Sequence, residues 1–135
     1  MCVEGRVVKQ IGAHGYFAAV RLRFEVGPDC AVLFEIAAGG DYHGKMGWNA
    51  AAAFGARLGM EVAKVSGFCH LTQIRGMICD TSPALVAIAA MQAVWIAVNF
   101  EPTTELTAQI ETCIVEGHRL SLDELRTAIV GVKTK

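Results

Sequence analysis

Residues 9–26 read KQIGAHGYFAAVRLRFEV, from Lys9 to Val26, and this stretch decides what kind of fold the chain adopts. Its first part is a polar turn punctuated by Gly12 and Gly15. Its second part alternates: Tyr16, Ala18, Val20, Leu22, Phe24 and Val26 fall on one face, and Arg21, Arg23 and Glu25 on the other. Successive side chains of a strand point to opposite faces, so this pattern predicts a strand with one face in a core and one in water. Upstream, Val3 to Val8 predicts a short edge strand. Downstream, Gly27-Pro28-Asp29 predicts a turn, because proline fixes φ while glycine and aspartate tolerate unusual dihedrals. Cys30 to Ala38 then predicts a third, largely buried strand that closes an antiparallel hairpin with the second.

Gly39-Gly40-Asp41 ends that strand. Helix-forming residues resume near Gly44 and run to Leu58, with Gly59 placed as a C-terminal cap. Met46, Ala50, Phe54 and Leu58 recur at helical spacing, and the run Ala50–Ala53 lets this helix lie close to a sheet. Met60 to Ile74 returns to strand chemistry, with Gly67 a candidate bulge. Thr81 or Ser82 caps a helix whose first residue is Pro83, where a missing N–H costs nothing. That helix, Pro83–Val98 (PALVAIAAMQAVWIAV), falls about a turn short of the ~20 residues a bilayer needs and contains Gln92. It reads as a helix buried on most sides.

Residues 101–135 are less decided. Leu106, Ile110, Cys113 and Ile114 fit a helical stripe, yet Leu106, Ala108, Ile110, Thr112 and Ile114 also alternate like a strand; the helical reading is preferred. Ser121-Leu122-Asp123-Glu124 is a capping box that opens a short amphipathic helix through Leu122, Leu125 and Ile129. The expected fold is α+β: a two-layer mixed β-sheet with two helices packed on one face, in the order β-β-β-α-β-α. Residues 1–100 form that core, and residues 101–135 form a helical extension packed on it within one domain.

The chain has 135 residues, 53% of them hydrophobic and 19% charged, enough for a core without staples. Its net charge is −1. Phosphate neutralisation supplies much of the affinity of free-standing nucleic-acid binders, so any RNA contact here must be local rather than spread over the whole surface. Five cysteines (Cys2, Cys30, Cys69, Cys79, Cys113) without a C-x-x-C pair read as small hydrophobes in a reducing compartment. Glu4, Arg6 and Lys9 interrupt the N-terminus, so no signal peptide is expected and the cytoplasm is the expected location.

Gly39-x-x-x-x-Gly44-Lys45 resembles a phosphate-cradling loop between strand and helix, but Met46 replaces the Ser or Thr that would hold magnesium. No GTPase motif is complete, and the balance leans away from catalysis. Gly39, Gly40, His43, Gly44 and Lys45 remain the candidate residues for the alternative of a small-molecule-binding or enzymatic domain. Asp41, His43, Cys69 and His70 lack an established ligand spacing, so neither a metal nor a cofactor is expected. A Cys–His nucleophilic pair would have to be assembled in space. Arg6, Lys9, Arg21, Arg23 and Arg75 form either a basic surface for RNA phosphate or a solvated face balanced by Glu25 and Glu35. Trp48, Trp95 and the nearly uncharged helix 83–98 raise a third reading, an oligomeric structural module, with a homodimer as its expected form.

The order of these features resembles domain IV of elongation factor G. A family segment like KQ-x-G-G-x-G-x-x-A-x-V corresponds to Lys9, Gln10, Gly12, Gly15, Ala18 and Val20, with Ala13 where a second glycine is usual. Ile36-Ala37-Ala38-Gly39-Gly40 approximates the family's I-x-G-G. Gly47, Gly55 and Gly59 match a small-residue helix, and Asp80-Thr81-Ser82 matches a D-S-S-like turn before an alanine-rich helix. The likeness covers roughly residues 6–98. It implies the fold of ribosomal protein S5 domain 2 and a tip that contacts the ribosome or structured RNA through loops like 10–15 and 74–79, while the short helix 83–98 with its Gln92 argues separately against a membrane. Lys9, Gln10, His14, Arg21, Arg23, Arg75 and Met77 are the residues expected to make that contact. Met77 stands where the family often has a histidine, and the family's GTPase domain is not in this sequence.

Overall fold

β1 (Cys2–Ile11) and β2 (His14–Val26) pair antiparallel from Cys2 opposite Arg23 to Ile11 opposite His14, leaving Gly12 and Ala13 as the turn. Gly12 takes φ 58°, the left-handed value that a two-residue hairpin turn requires at its first position. The structure, a computed structural model, describes residues 2–34, 47–77 and 79–132. Tyr16, Ala18, Val20 and Leu22 are buried as their alternation predicts, and Phe24 is partly so; Val26, at the strand's end, is exposed.

β3 (Ala31–Phe34) does not form a hairpin with β2. β4 (Gly67–Arg75) lies between them, antiparallel to β2 and parallel to β3, so the sheet order is β1-β2-β4-β3. A strand as long as β2 offers an edge that β4 fills along most of its own length, whereas β3 has only four described residues. Parallel partners need a crossover, and α1 (Trp48–Ala63) supplies it between β3 and β4. The turn at Gly27 is tied instead to the residue before β4: its N–H donates to the Ser66 carbonyl (3.2 Å), and the Ser66 hydroxyl donates to the Gly27 carbonyl (2.7 Å).

The bulge expected at Gly67 also lies elsewhere. Arg21 faces Gln73 while Leu22 faces Leu71, so Thr72 is the extra residue, and its hydroxyl donates to the Arg21 carbonyl (3.2 Å). Gly67 is a glycine because a Cβ there would strike the Glu25 carbonyl and the Phe24 ring.

α1 follows Gly47 and ends at Lys64, which takes a left-handed φ of 59°. It is thus five residues longer than the expected end at Leu58, and Met60 to Ala63 belong to it rather than to a strand. Gly59 is not its cap. Gly55 and Gly59 lie inside the helix where it crosses α2 (Pro83–Val98), and a Cβ on Gly55 would collide with the Ala87 backbone. The small residues of α1 therefore serve close contact with a helix more than with the sheet. Ala50 is exposed and Phe54 half-buried, so of the stripe expected at 46, 50, 54 and 58 only Leu58 is fully buried among the described positions.

Ser82 caps α2, its hydroxyl accepting from the Leu85 N–H (3.3 Å), with Pro83 in the first turn. The helix lies over β1 and β2, where Gly5 lets it approach: a Cβ there would meet the Ala89 carbonyl and the Ala93 amide. Every residue from Ala84 to Met91 is buried. Trp48 and Trp95 are buried too, and the Trp95 indole N–H donates to the Gly59 carbonyl (3.1 Å). Both tryptophans and most of α2 are covered within the chain, while Ile96 near its C-terminal end is exposed. Among the described residues no helix is long and apolar enough to cross a membrane.

Two further helices, α3 (Thr104–Val115) and α4 (Leu122–Val130), complete the mixed α+β architecture. The stretch that could also have been a strand is helical because Thr103 caps it, accepting from the Leu106 N–H (3.1 Å). The Ser121–Glu124 capping box forms as expected. Leu106, Ile110, Cys113, Ile114, Leu125 and Ile129 join the same core as the sheet and α2.

A methyl group at the α1–α2 crossing has nowhere to go. Gly55→Ala is expected to lower the unfolding free energy by about 1–3 kcal/mol, read as an earlier urea midpoint at unchanged slope.

Candidate functional site

Two loops meet at one end of the sheet. The β1–β2 turn is braced by Gln10, whose Nε2 donates to the Gly12 carbonyl (3.0 Å). The loop after β4 folds on itself, with the Asp80 and Thr81 amides donating to the Met77 carbonyl (3.1 and 2.9 Å). The two are latched together by buried Thr81. Its hydroxyl accepts from the Met77 N–H (2.7 Å) and donates to the Phe17 carbonyl (2.6 Å), while the Phe17 N–H donates to the Asp80 carbonyl (2.9 Å). Gly15 is needed beside them, since a Cβ would come within 2.7 Å of the Asp80 carboxylate. The result is one tip carrying exposed His14 and Met77, with an open groove of ≈ 260 Å³ bounded by Val8, Gln10, Tyr16, Phe17, Met77 and Asp80 among others.

The C-terminal helices brace this tip from the helix side. Lys9 Nζ lies 2.6 Å from Glu111 Oε1 on α3. His118, between α3 and α4, stacks on Tyr16 (centroids 5.0 Å apart) and places Nε2 3.1 Å from the Gly15 carbonyl. The Ser82 hydroxyl donates to the Gly117 carbonyl (2.7 Å). Sequence reasoning assigns no tip role to Thr81, Glu111 or His118, and no local signal marks the last two, which lie about a hundred positions from their partners.

The expected contact residues separate into groups. Gln10, His14 and Met77 belong to the tip. Lys9 also lines the tip groove, while its Nζ reaches to Glu111 on the helix side. Arg21, Arg23 and Arg75 share the outer face of the sheet with Arg6. Across that face, strand by strand, Val8 lies beside Phe17, then Arg6 beside Ala19 and Arg75, then Glu4 beside Arg21 and Gln73. Cys2, Arg23, His70 and Leu33 make the next row, and Glu25, Phe68 and Ala31 the last. Among the described residues the face holds four arginines against Glu4 and Glu25. Glu4 is shared by Arg6 (3.5 Å) and Arg75 (3.4 Å), and Glu25 lies 3.8 Å from His70 Nε2.

The alternative ligand residues Gly39, Gly40, His43, Gly44 and Lys45, with Asp41 and Glu35, lie outside the described residues. Among the described residues no group of three His, Cys, Asp or Glu side chains is placed to hold a metal ion. Cys69 and His70 alternate across β4, the thiol buried in the core. Burial pushes the Cys69 thiol up to about 12, and burial followed by the nearby Glu116 charge raises Cys113. A buried thiol held protonated is a poor nucleophile.

The sequence matches no protein-family model and no curated protein. Among solved structures it is similar to a protein from Thermus thermophilus, at 20% identity and TM-score 0.60, over 82% of this chain and 19% of that one. A mevalonate kinase aligns at 12% identity over 96% of this chain and 51% of that one, with a TM-score of only 0.45. The chain thus spans about a fifth of the Thermus protein. The likeness to the Thermus protein is one of fold alone, a mixed four-stranded sheet with helices packed on it.

Two outcomes follow from the packing. Thr81→Val leaves the Met77 N–H and the Phe17 carbonyl without their shared partner; a loss of about 1–3 kcal/mol is expected, with faster amide exchange at Phe17 and Met77. At mildly alkaline pH a disulfide reagent is expected to titrate Cys2, Cys30 and Cys79 in the folded protein, with Cys69 and Cys113 reacting only on unfolding.

Proposed function

We propose that this chain is a non-catalytic module that seats its tip against structured RNA, with the ribosomal particle as the partner suggested by the likeness to elongation factor G domain IV. The observation that carries the reading is the Thr81 latch. It joins two sequence-distant loops into one protrusion whose exposed side chains, His14 and Met77, stand on a braced backbone. Folded RNA is recognised by shape, backbone contact and stacking, and a preorganised tip loses little conformational entropy on docking. In this reading His14 stacks or hydrogen-bonds, Met77 supplies adaptable apolar contact, Gln10 holds the turn, and Arg75 at the end of β4 supplies charge. Lys9, paired with Glu111, helps to position the tip. The Thermus thermophilus protein carries the similar fold as 19% of its length, which supports a module that works beside other domains.

The test is co-sedimentation of the full chain with ribosomal particles at about 50 mM and about 200 mM salt. Binding is expected at the lower concentration and should fall steeply at the higher. The His14→Ala/Met77→Ala double variant should bind at least about tenfold more weakly with an unchanged melting temperature. Wild-type protein remaining in the supernatant at the lower salt sinks the reading.

A further inference from the structure

We infer that the outer face of the sheet is a second binding surface, one that takes a single-stranded polynucleotide along β2. The inference stands mainly on Arg6, Arg21 and Arg23, which lie outside the tip, shares Arg75 and Phe17 with it, and survives if the tip reading fails. Its starting point is a charge asymmetry. The chain as a whole has a net charge of −1, yet among the described residues Arg6, Arg21, Arg23 and Arg75 gather on one face against Glu4 and Glu25. The helices pack on the opposite face, against Gly5, Val20 and Leu71.

The ion pairs to Glu4 leave two of these arginines open to water. Glu4 serves both Arg6 and Arg75 at 3.5 and 3.4 Å, and both guanidinium side chains stay about half-exposed, at 54% and 46%. Ion pairs this open to water are weak and exchange readily for a better acceptor. The Arg21 side chain is exposed and has no protein partner among the described residues. Phosphate is the acceptor that suits it, because the planar guanidinium presents paired donors to phosphate oxygens.

The arrangement also has a direction. Rows on one face of a strand repeat every two residues, about 7 Å, so the arginine rows track β2 rather than forming one cluster. Phe17 closes the series at the tip end and Phe68, 37% exposed, at the other. Aromatic rings flanking a cationic track are the components by which single strands are held: bases stack on the rings and phosphates follow the charge. The distance from the Phe17 row to the Phe68 row is about 27 Å, enough for on the order of four nucleotides, the low end for one small β-module. Among the described residues no helix or loop projects from this face to enter a duplex groove, which favours unpaired over paired strands.

The test is fluorescence anisotropy of the full chain with labelled oligouridine and oligothymidine of about 12 nucleotides at about 50 mM salt. Binding of at least one oligomer is expected, and the comparison of sugars identifies the source of the strand. Arg21→Gln/Arg23→Gln should weaken binding about tenfold and flatten the log–log salt slope by about 1.4, for two lost phosphate contacts. Glu4→Gln should tighten binding about threefold by releasing Arg6 and Arg75, a gain that misfolding cannot mimic. The tip variant His14→Ala/Met77→Ala should bind the oligomers as wild type does. No anisotropy change with either oligomer overturns the inference and points to a protein surface as the cover of this face. So does wild-type affinity in a folded Arg21→Gln/Arg23→Gln protein.

Discussion

Contact between backbones, with no side chain in between, is the constraint on which this domain depends. Gly5 lets α2 down onto β1, and Gly55 lets α1 close against α2 at Ala87. Because α2 is approached so closely from two directions, a helix with almost no polar side chains can stand inside a 135-residue protein. The bulk that fills the remaining space comes from α3 and α4, which place Leu106, Ile110, Leu125 and Ile129 in the same core. Burying each such side chain contributes roughly 1.5–3 kcal/mol, so the C-terminal helices belong to the domain's stability as much as the sheet does. They then reach the tip through Glu111 and His118.

Local chemistry makes much of this architecture legible. The alternation from Tyr16 to Phe24, the Ser82–Pro83 start of α2 and the Ser121–Glu124 box all act within a few residues, and each appears where its chemistry puts it. Strand pairing is not local. The Gly27-Pro28-Asp29 turn looks like a hairpin turn because its residues suit one, yet the edge of β2 is taken by a strand about forty residues later. Gly59 misleads for a related reason. A glycine that ends a helix and a glycine that lets another helix approach are the same letter, and only the position of Met91 distinguishes them.

The functional residues are legible as types and less so as a place. Arg21 and Arg23 on the polar side of β2 follow directly from alternation, and Arg75 joins them on the same face. Lys9 groups with the tip in sequence because it is one position from Gln10, but neighbours in a strand point to opposite sides of the sheet. Its partner Glu111 arrives on a helix whose position depends on core packing, and no spacing rule foreshadows it.

The extra residue in β4 has a wider consequence. Gly67, Cys69 and Leu71 point inward at odd positions, but beyond Thr72 it is Ile74 that points inward, and Gln73 and Arg75 point out. Thr72 acts as a phase shifter between two halves of one strand. Were Thr72 paired as an ordinary strand residue instead of bulged out, the outward pattern of Phe68 and His70 would carry on through even positions, exposing Ile74 and turning Arg75 into the core. The charge pattern of the outer face therefore hangs on a single insertion in the backbone count. Deleting Thr72 would leave Gln73 opposite Arg21 and Arg75 outward in an unbroken ladder, whereas drawing Thr72 into the ladder would turn both inward.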